Sequence, residues 1–154
     1  MAYKIEVGDK APEFTLKDQG EKEITLSNFK GRKVILSFHP LAWTSVCTLQ
    51  MQDLEKYKGD FAQMNAVAIG LSVDSVPCKK AWAEAIGVKD TPLLADFWPH
   101  GGVAKAYGIF RERNGFSERA VFMLDEEGIV RFKKVYPIRE VPDIGEILKA
   151  AAEL

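Results

Sequence analysis

The sequence predicts an α/β fold in which a mixed central sheet is flanked by helices. Two apolar segments, "KVILSFHP" and "AVAIGLSVD", are nearly continuous, which is typical of strands buried on both faces. Segments with helical periodicity follow each of them, and the chain closes with a predicted hairpin and helix. Because 154 residues with 47% hydrophobic content match one ordinary domain, we expect a single domain over residues 1–154.

The first half of the chain alternates predicted strands and helical segments. "EFTL" and "EITL" flank the polar "KDQGEK" and predict an N-terminal β-hairpin. In "SNFKG" we expect Ser27 to cap a short helical turn that Gly31 ends. The strand "KVILSFHP" ends at Pro40, which lacks the N–H group that a sheet ladder needs. Residues 45–64 have apolar side chains at helical spacing and predict a helix, and "AVAIGLSVD" follows as the second buried strand.

The second half continues the alternation and ends with a hairpin and a helix. "VPCKKAWAEAIG" predicts a helix with Pro77 near its first turn and Gly87 at its end. "PLLADF" predicts a short strand, and "GGVAKAYGI" predicts a helix that Gly108 ends. "RAVFMLDEEGIVRFKKVY" predicts a hairpin whose turn is "DEEG", and "VPDIGEILKAAAEL" predicts the closing helix. This order implies helices on both faces of the sheet.

Composition and charge argue against several function classes. A formal net charge of −1 offers no basic surplus for nucleic acid. The N-terminus lacks the apolar core of a signal peptide, and no run approaches the ~18 apolar residues of a membrane helix. Two cysteines without CxxC spacing and two histidines argue against a zinc site, and no Gly-rich loop indicates a nucleotide. We therefore expect a soluble cytoplasmic protein that binds neither nucleic acid nor membrane.

The segment "FHPLAWTSVCTLQ" places Cys47 within the first turn of a predicted helix. A cysteine attacks as the thiolate, and an unperturbed thiol has a pKa near ~8.5. Free N–H groups at a helix N-terminus, a nearby arginine and a hydrogen bond from a hydroxyl each favour the anion. Thr44 precedes Cys47 by three residues and is expected to share a small pocket with it, which Pro40 would shield from water. The same groups suit a ligand that carries two bonded oxygens.

Two structural interpretations of these residues stay open at this point. Free cysteine is among the most buried residue types and often serves as a small hydrophobic side chain. Thr44 is also consistent with a plain helix cap. The placement of Cys47 after a strand, a proline and a loop favours the chemical role without excluding either alternative.

The motif in "PLAWTSVC" fits P-x-x-x-T-x-x-C, and with it the sequence resembles the peroxiredoxins. The resemblance covers essentially the whole chain, since "VGDKAPEFTLKDQ" resembles the family's N-terminal hairpin and "ERAVFMLDEEGIVRF" its arginine-bearing segment. "SVDS", the aromatic in "KKAW" and "PLLADFWPHGGVAKAYGIF" are most similar to the one-cysteine alkyl hydroperoxide reductase E group. The resemblance implies a thioredoxin-like fold with an N-terminal β-hairpin extension.

The resemblance also implies a function, a thiol-dependent peroxidase with an antioxidant role in cell redox homeostasis and no metal or flavin. Its substrates would be hydrogen peroxide, organic hydroperoxides or peroxynitrite. Cys47 would be the peroxidatic nucleophile and become a sulfenic acid. Thr44 would hydrogen-bond the peroxide and the thiolate, Arg119 would stabilise the thiolate and the departing oxygen, and Pro40 would exclude water. The alternative for Arg119, at the start of a predicted strand, is a surface ion pair.

Three positions at the motif depart from or extend the family pattern. Gln50 stands where related members often have glutamate, so its role is an open question. Trp43 stands where phenylalanine is common, and its bulk would alter the wall of the site. His39 precedes the motif proline and either tunes the site or is a hydrogen-bonded histidine at a strand end, the second being favoured.

Cys78 is a candidate resolving cysteine at the start of the next predicted helix, 31 positions after Cys47. Other peroxiredoxin subgroups carry a resolving cysteine in the corresponding helix, whereas members like alkyl hydroperoxide reductase E usually depend on an external thiol. A disulfide needs Cα atoms ~5.5–6 Å apart, so we expect that both helix starts would have to unwind. The alternative is a cysteine with no role.

The resemblance further implies two kinds of partner. One is a thioredoxin-, glutaredoxin- or mycoredoxin-like protein that supplies the reducing thiol. The other is a second copy of the chain, because the aromatic segment "DFWPHGG" would contribute to a homodimer interface. A core-loop interpretation of that segment stays open.

Two competing functions would use the same residues. A disulfide oxidoreductase shares the fold, but the chain lacks a CxxC motif. A redox-sensing or chaperone-like binding protein would use oxidation of Cys47 as a switch, and this role is compatible with peroxidase activity.

Overall fold

The computed structural model describes residues 4–154 and contains nine strands and five α-helices within that range. In chain order the strands are β1 Thr15–Lys17, β2 Glu23–Thr25, β3 Lys33–Phe38, β4 Ala66–Ser72, β5 Leu93–Ala95, β6 Phe110–Arg111, β7 Phe116–Ser117, β8 Arg119–Leu124 and β9 Val130–Tyr136. The helices are α1 Ser45–Lys56, α2 Lys58–Gln63, α3 Val76–Ile86, α4 Gly102–Ala106 and α5 Ile144–Ala152.

The centre of the fold is a five-stranded sheet in the order β5-β4-β3-β8-β9. β3 is parallel to β4, and β4 is parallel to β5. β8 is antiparallel to both β3 and β9. The predicted mixed sheet and its closing hairpin are therefore confirmed.

Side chains alternate along β3 and divide the interior into two cores. Val34, Leu36 and Phe38 belong to one core, where the β1–β2 hairpin and α4 pack. Ile35 belongs to the other core, which contains side chains from α1, α2, α3 and α5. Helices thus cover both faces of the sheet, as the order of predicted elements implied.

The same alternation assigns the first residue of β8 to the face covered by α1. Val121 and Met123 belong to the α1 core, and a period of two places Arg119 on that face as well. The register pairs Phe38 with Ala120, so His39 and Arg119 are the next positions along the two strands. The end of β3 and the start of β8 therefore meet at one edge of the sheet, where α1 begins.

The helical prediction for residues 45–64 is confirmed, but the segment forms two helices rather than one. Tyr57 has φ −101° and ψ 16°, so α1 ends at Lys56 and α2 begins at Lys58. The change of direction lets Phe61, which is 1% exposed, pack in the core against β4. The free energy gained by burying this aromatic side chain thus exceeds the cost of interrupting the helix.

The prediction that Ser27 caps a helical turn is wrong. Ser27 lies within the 3-10 turn Leu26–Phe29, whose N-cap position is Thr25. Its backbone N–H donates to Glu13 Oε1 at 3.0 Å, so a carboxylate from the neighbouring segment supplies the missing acceptor.

The remaining predicted elements are present near their expected positions. Gly87 caps α3 in the left-handed region at φ 78°, and Asp143 caps α5 by accepting hydrogen bonds from Gly145 and Glu146. The two-residue strands β6 and β7 pair with each other and were not predicted. Among residues 4–154, no helix combines the length and apolarity required to cross a bilayer.

Candidate active site

Cys47 lies in the first turn of α1, as predicted. Thr44 occupies the N-cap position, and its carbonyl accepts the first helical hydrogen bond, from Thr48 N at 2.9 Å. Cys47 is the third residue of the helix, so its N–H is one of the N–H groups at the helix start that have no carbonyl acceptor within the helix. The side chain is 0% exposed. Its sulfur is therefore near the positive end of a helix and shielded from bulk water.

Arg119 reaches Cys47 across the start of the helix. Its Nη1 donates a hydrogen bond to Cys47 Sγ at 3.3 Å. Its Nε and Nη2 both donate to the carbonyl oxygen of Ile138, at 3.0 and 2.8 Å. The guanidinium is 3% exposed, and within residues 4–154 it forms no ion pair with a carboxylate. The alternative of a surface ion pair is thus excluded for the described residues.

Gln50 connects Arg119 to the end of β3. Its Oε1 accepts from Arg119 Nη1 at 2.6 Å, and its Nε2 donates to Ser37 Oγ at 2.6 Å and to the Phe38 carbonyl at 3.3 Å. A glutamate would set its second oxygen against that carbonyl and neutralise the guanidinium. The amide therefore fixes the orientation of Arg119 while leaving its charge available to the sulfur.

Thr44 and Pro40 frame the loop that leads to the thiol. Thr44 does not cap the helix with its side chain, because its hydroxyl donates to the carbonyl of Leu41 at 2.8 Å. With its proton committed in this way, Oγ1 retains lone pairs that can accept a hydrogen bond. Pro40 is buried, and Trp43 between them is 56% exposed with φ 71°.

Cys78 lies at the start of α3 and is held by an acidic neighbour. Its Sγ is 3.7 Å from Asp74 Oδ1, to which it donates, and both cysteines are free thiols. Burial and the charge of Asp74 raise the pKa of the Cys78 thiol, and the side chain of Trp43 partly opposes this. Asp74 also accepts a hydrogen bond from Ala42 N at 2.8 Å, which ties the loop before Cys47 to the start of α3.

His39 is fully buried and pairs with a lysine that the sequence analysis did not single out. Its Nε2 is 2.9 Å from Lys79 Nζ, and both side chains are 0% exposed. Burial, reinforced by the charge of Lys79, holds the pKa of His39 well below its usual range. The favoured interpretation of His39 as a hydrogen-bonded histidine at a strand end is consistent with this geometry.

Sequence reasoning missed several residues that hold the site together, namely Ser37, Asp74, Lys79 and Ile138. Asp74 lies within the "SVDS" segment that carries part of the family resemblance, and Lys79 left a second usable signal. Lys79, Trp82 and Ala83 follow helical spacing i, i+3 and i+4, and all three are buried. A lysine on the apolar stripe of a helix is unusual enough to mark a functional candidate.

A metal site is not among the features of this region. Within residues 4–154 no group of three or more histidine, cysteine or acidic side chains has the arrangement of a metal site.

Comparison with known proteins gives the same family from sequence and from structure. Residues 7–133 match the AhpC/TSA family. Alkyl hydroperoxide reductase E of Mycobacterium tuberculosis is 41% identical over 140 residues, which are 90% of this chain and 91% of that protein. A peroxiredoxin of Thermoplasma volcanium is 35% identical over 155 residues, 97% of this chain and 75% of that protein.

Solved structures confirm the thioredoxin-like peroxiredoxin fold. AhpC of Enterococcus faecalis superimposes with a TM-score of 0.87 at 25% identity and covers 96% of this chain and 90% of its own. The mitochondrial 2-Cys peroxiredoxin of Plasmodium falciparum gives 0.85 at 28% identity, with 96% and 93% covered. The chain therefore belongs to the AhpC/TSA family and is a peroxiredoxin, a thiol-dependent peroxidase.

Proposed function

We propose that this peroxidase reduces hydrogen peroxide, organic hydroperoxides or peroxynitrite with Cys47 as its nucleophile. The observation that carries the proposal is the hydrogen bond of 3.3 Å from Arg119 Nη1 to Cys47 Sγ. A guanidinium stays protonated at physiological pH, so it favours the thiolate over the thiol. The start of α1 adds a second source of positive potential.

In the proposed reaction the thiolate attacks one peroxide oxygen, and the S–O bond forms as the O–O bond breaks. The sulfur is oxidised to a sulfenic acid, and the departing oxygen leaves as alkoxide, hydroxide or nitrite. An alkoxide or hydroxide then takes up a proton to give alcohol or water. Arg119 Nη1, adjacent to the sulfur, would stabilise the charge that develops on the departing oxygen.

Thr44 and Pro40 would orient the peroxide and exclude water. Because the Thr44 proton is committed to Leu41, its Oγ1 would accept a hydrogen bond from the peroxide O–H. Cys47 has no exposed surface, whereas Trp43, Thr44 and Ser45 are exposed. We therefore propose that peroxide enters by a small displacement of this loop.

An external thiol would regenerate Cys47 while the fold stays closed. Cys78 is held as a neutral thiol by burial and by Asp74, and a neutral thiol is a poor nucleophile toward a sulfenic acid. A thioredoxin-, glutaredoxin- or mycoredoxin-like protein in a reducing compartment such as the cytoplasm would supply the thiol. Cys78 would compete only after the starts of α1 and α3 unwind.

A homodimer is the proposed assembly, with the predicted aromatic segment at its interface. Trp98 is 81% exposed and Phe97 is 51% exposed. They line a shallow groove whose other lining residues are apolar (Leu16, Val76 and Ala95) and polar or charged (Thr15, Lys17 and Glu23). Large exposed aromatic side chains of this kind are typical of interface anchors.

Stopped-flow reaction of the reduced protein with peroxide tests the roles of Cys47 and Arg119. Cys47→Ser should abolish the reaction, and Arg119→Ala should slow it about 10²–10³-fold. Arg113→Ala, which removes an exposed arginine, is the matched control and should react like the wild type. A reactive Cys47→Ser variant would refute the nucleophile, and an unchanged rate in Arg119→Ala would refute the charge assignment.

Mass spectrometry after one equivalent of peroxide tests the regeneration step. A persistent sulfenic acid on Cys47 in wild type supports the external thiol. Rapid formation of a Cys47–Cys78 disulfide, absent from Cys78→Ser, would instead identify Cys78 as the resolving cysteine.

A further inference from the structure

Lys79 is a fully buried lysine whose nitrogen has specific partners. Nζ lies 2.9 Å from His39 Nε2 and 5.4 Å from the centre of the Trp82 ring. Trp82 in turn donates from Nε1 to Thr48 Oγ1 at 3.2 Å, one residue after Cys47. Burial of a lysine is unfavourable unless its charge is compensated by its surroundings. Lys79 is thus connected to the site through His39, which precedes Pro40, and through Trp82, which contacts α1.

The contacts of His39 determine which atom donates to which. Its Nδ1 is 3.4 Å from the Ser37 carbonyl, which can only accept, so Nδ1 carries the proton. The neutral ring then offers Nε2 as an acceptor, and Lys79 Nζ is the donor. Both the amine and the ammonium of Lys79 satisfy this bond, so the pair tolerates either charge state of the lysine.

The charge of Lys79 interacts with titratable groups on several elements of the fold. They are Asp74 after β4, Asp96 after β5, Cys47 on α1, Cys78 on α3 and His39 after β3, with Arg119 of β8 next to His39. Burial lowers the pKa of Lys79 to about 7, and Asp74 and Cys47 are the leading groups that oppose this.

Neither carboxylate is paired directly with the lysine. Asp96 accepts hydrogen bonds from the backbone N–H groups of Val103 and Ala104. Asp74 accepts from Ala42, Ser72 and Cys78. Within residues 4–154, Lys79 forms no ion pair, so its positive charge is not cancelled by a neighbour in contact.

We propose that Lys79 is a positioning residue of the peroxidase, whose buried ammonium, held by His39, supplies a second positive charge that favours the Cys47 thiolate. This inference rests on the proposed role of Cys47. It differs from the role of Arg119, because a guanidinium stays charged whereas an ammonium in this environment loses its proton near neutral pH. The stabilisation of the Cys47 thiolate by Lys79 is therefore present in acid and absent in alkaline solution.

The pH profile of the reaction with peroxide tests the proposal. Lys79→Met removes the charge at similar side-chain length and should slow the reaction about 3–10-fold near pH 6, with the two profiles converging above about pH 8.5. Lys79→Arg should restore most of the rate near pH 6. Lys80→Met removes the exposed lysine next along the helix and should leave the profile unchanged, because solvent screens that charge.

The pH dependence of the rate difference between wild type and Lys79→Met distinguishes this role from a structural one. A variant that only disturbed packing would react more slowly by the same factor at every pH. A uniform loss of this kind, or a profile that superimposes on the wild type, would overturn the proposal. The assignment of Cys47 as nucleophile would survive either result, because it depends on the Cys47→Ser variant.

A reciprocal measurement decides the question if Lys79→Met does not fold. If the ammonium favours the thiolate, the thiolate must favour the ammonium by the same free energy. The ¹³Cε signal of Lys79, assigned by its loss in Lys79→Arg, should titrate at a pH lower by about 0.3–1 unit in Cys47→Ala than in the reduced wild type. An unchanged midpoint would show that the two groups are not coupled and would overturn the inference.

Discussion

Gln50 contacts Arg119 through an uncharged side-chain amide. Its two ends match their neighbours, because the oxygen accepts from the guanidinium and the nitrogen donates toward β3. The guanidinium is thereby oriented without being neutralised. A single choice of side chain thus preserves the positive charge beside Cys47.

At the same scale, we predict that the hydroxyl of Thr44 matters more than its methyl group. Thr44→Val keeps the volume but removes the acceptor, and its rate with peroxide should fall about 10²-fold. Thr44→Ser keeps the hydroxyl and should stay within about tenfold of the wild type. Stopped-flow kinetics measures both variants, and thermal unfolding checks that the bond to Leu41 is not the cause. A Thr44→Val variant as fast as the wild type would contradict the proposed role.

At the scale of elements, Gly70 lets α1 approach β4 closely. A Cβ atom at this position would overlap Met51 Sδ and lie 3.0 Å from Leu93 Cδ2 and 3.3 Å from His39 Cε1. Met51 is 0% exposed, so its side chain has little room to move.

We therefore predict that Gly70→Ala lowers the free energy of unfolding by about 1–3 kcal/mol. The matched control is Gly59→Ala in α2, where an added Cβ meets nothing within 4 Å. This variant should have an unchanged free energy of unfolding or one raised by up to about 1 kcal/mol. Urea unfolding measures both. Equal stabilities of the two variants would show that the approach of α1 to β4 is not tight.

Glu55 ties α1 to the loop between α3 and β5. It accepts hydrogen bonds from the N–H groups of Lys89 and Thr91, at 3.1 and 2.9 Å, and from Lys58 Nζ at 3.0 Å. Burial raises the pKa of Glu55, but the bonds from Lys58, Thr91 and Lys89 outweigh it and lower the pKa to about 2. The folded protein therefore holds this carboxylate ionised to lower pH than the unfolded chain does.

The sign of the resulting pH dependence follows from the lowered pKa. The stabilisation is fully present above about pH 4.5 and is lost as the pH falls toward about 2. We predict that the difference in melting temperature between wild type and Glu55→Gln shrinks over this interval. Glu84→Gln, an exposed carboxylate on α3, is the control and should show no such trend. A constant difference from pH 5 to pH 2 would contradict the assignment.

At the scale of the whole molecule, the exposed aromatic segment predicts self-association. Trp98→Asp should convert the proposed dimer to a monomer in sedimentation velocity, because it replaces an exposed aromatic anchor with a charge. Val7→Asp changes a side chain that is 57% exposed and adjoins β9, and it should leave the assembly intact. A monomeric wild type, or a Trp98→Asp variant that remains dimeric, would refute this interface.

The prediction of one domain over residues 1–154 also belongs to this scale and stays a prediction. A single cooperative unfolding transition that coincides by fluorescence and circular dichroism is the expected result.

Local sequence patterns were sufficient to predict the kinds of element and the position of the thiol within them. Continuous apolar runs, turn residues and helix caps act over a few residues, so β3, β4, α3 and the closing hairpin were predictable from local pattern. The same local rules placed Cys47 in the first turn of α1. They did not predict the interruption at Tyr57, where Phe61 packs against β4, or the role of Ser27, whose N–H donates to a carboxylate from another segment.

The charges near the thiol depend on contacts between distant parts of the chain. Arg119 lies 72 positions from Cys47, and Lys79 lies 40 positions from His39. Side-chain alternation gives the face of a strand, but strand order and register determine which strand ends meet, and these depend on packing across the whole sheet. The contact of Arg119 with Cys47 and the pairing of Lys79 with His39 are therefore properties of the folded chain.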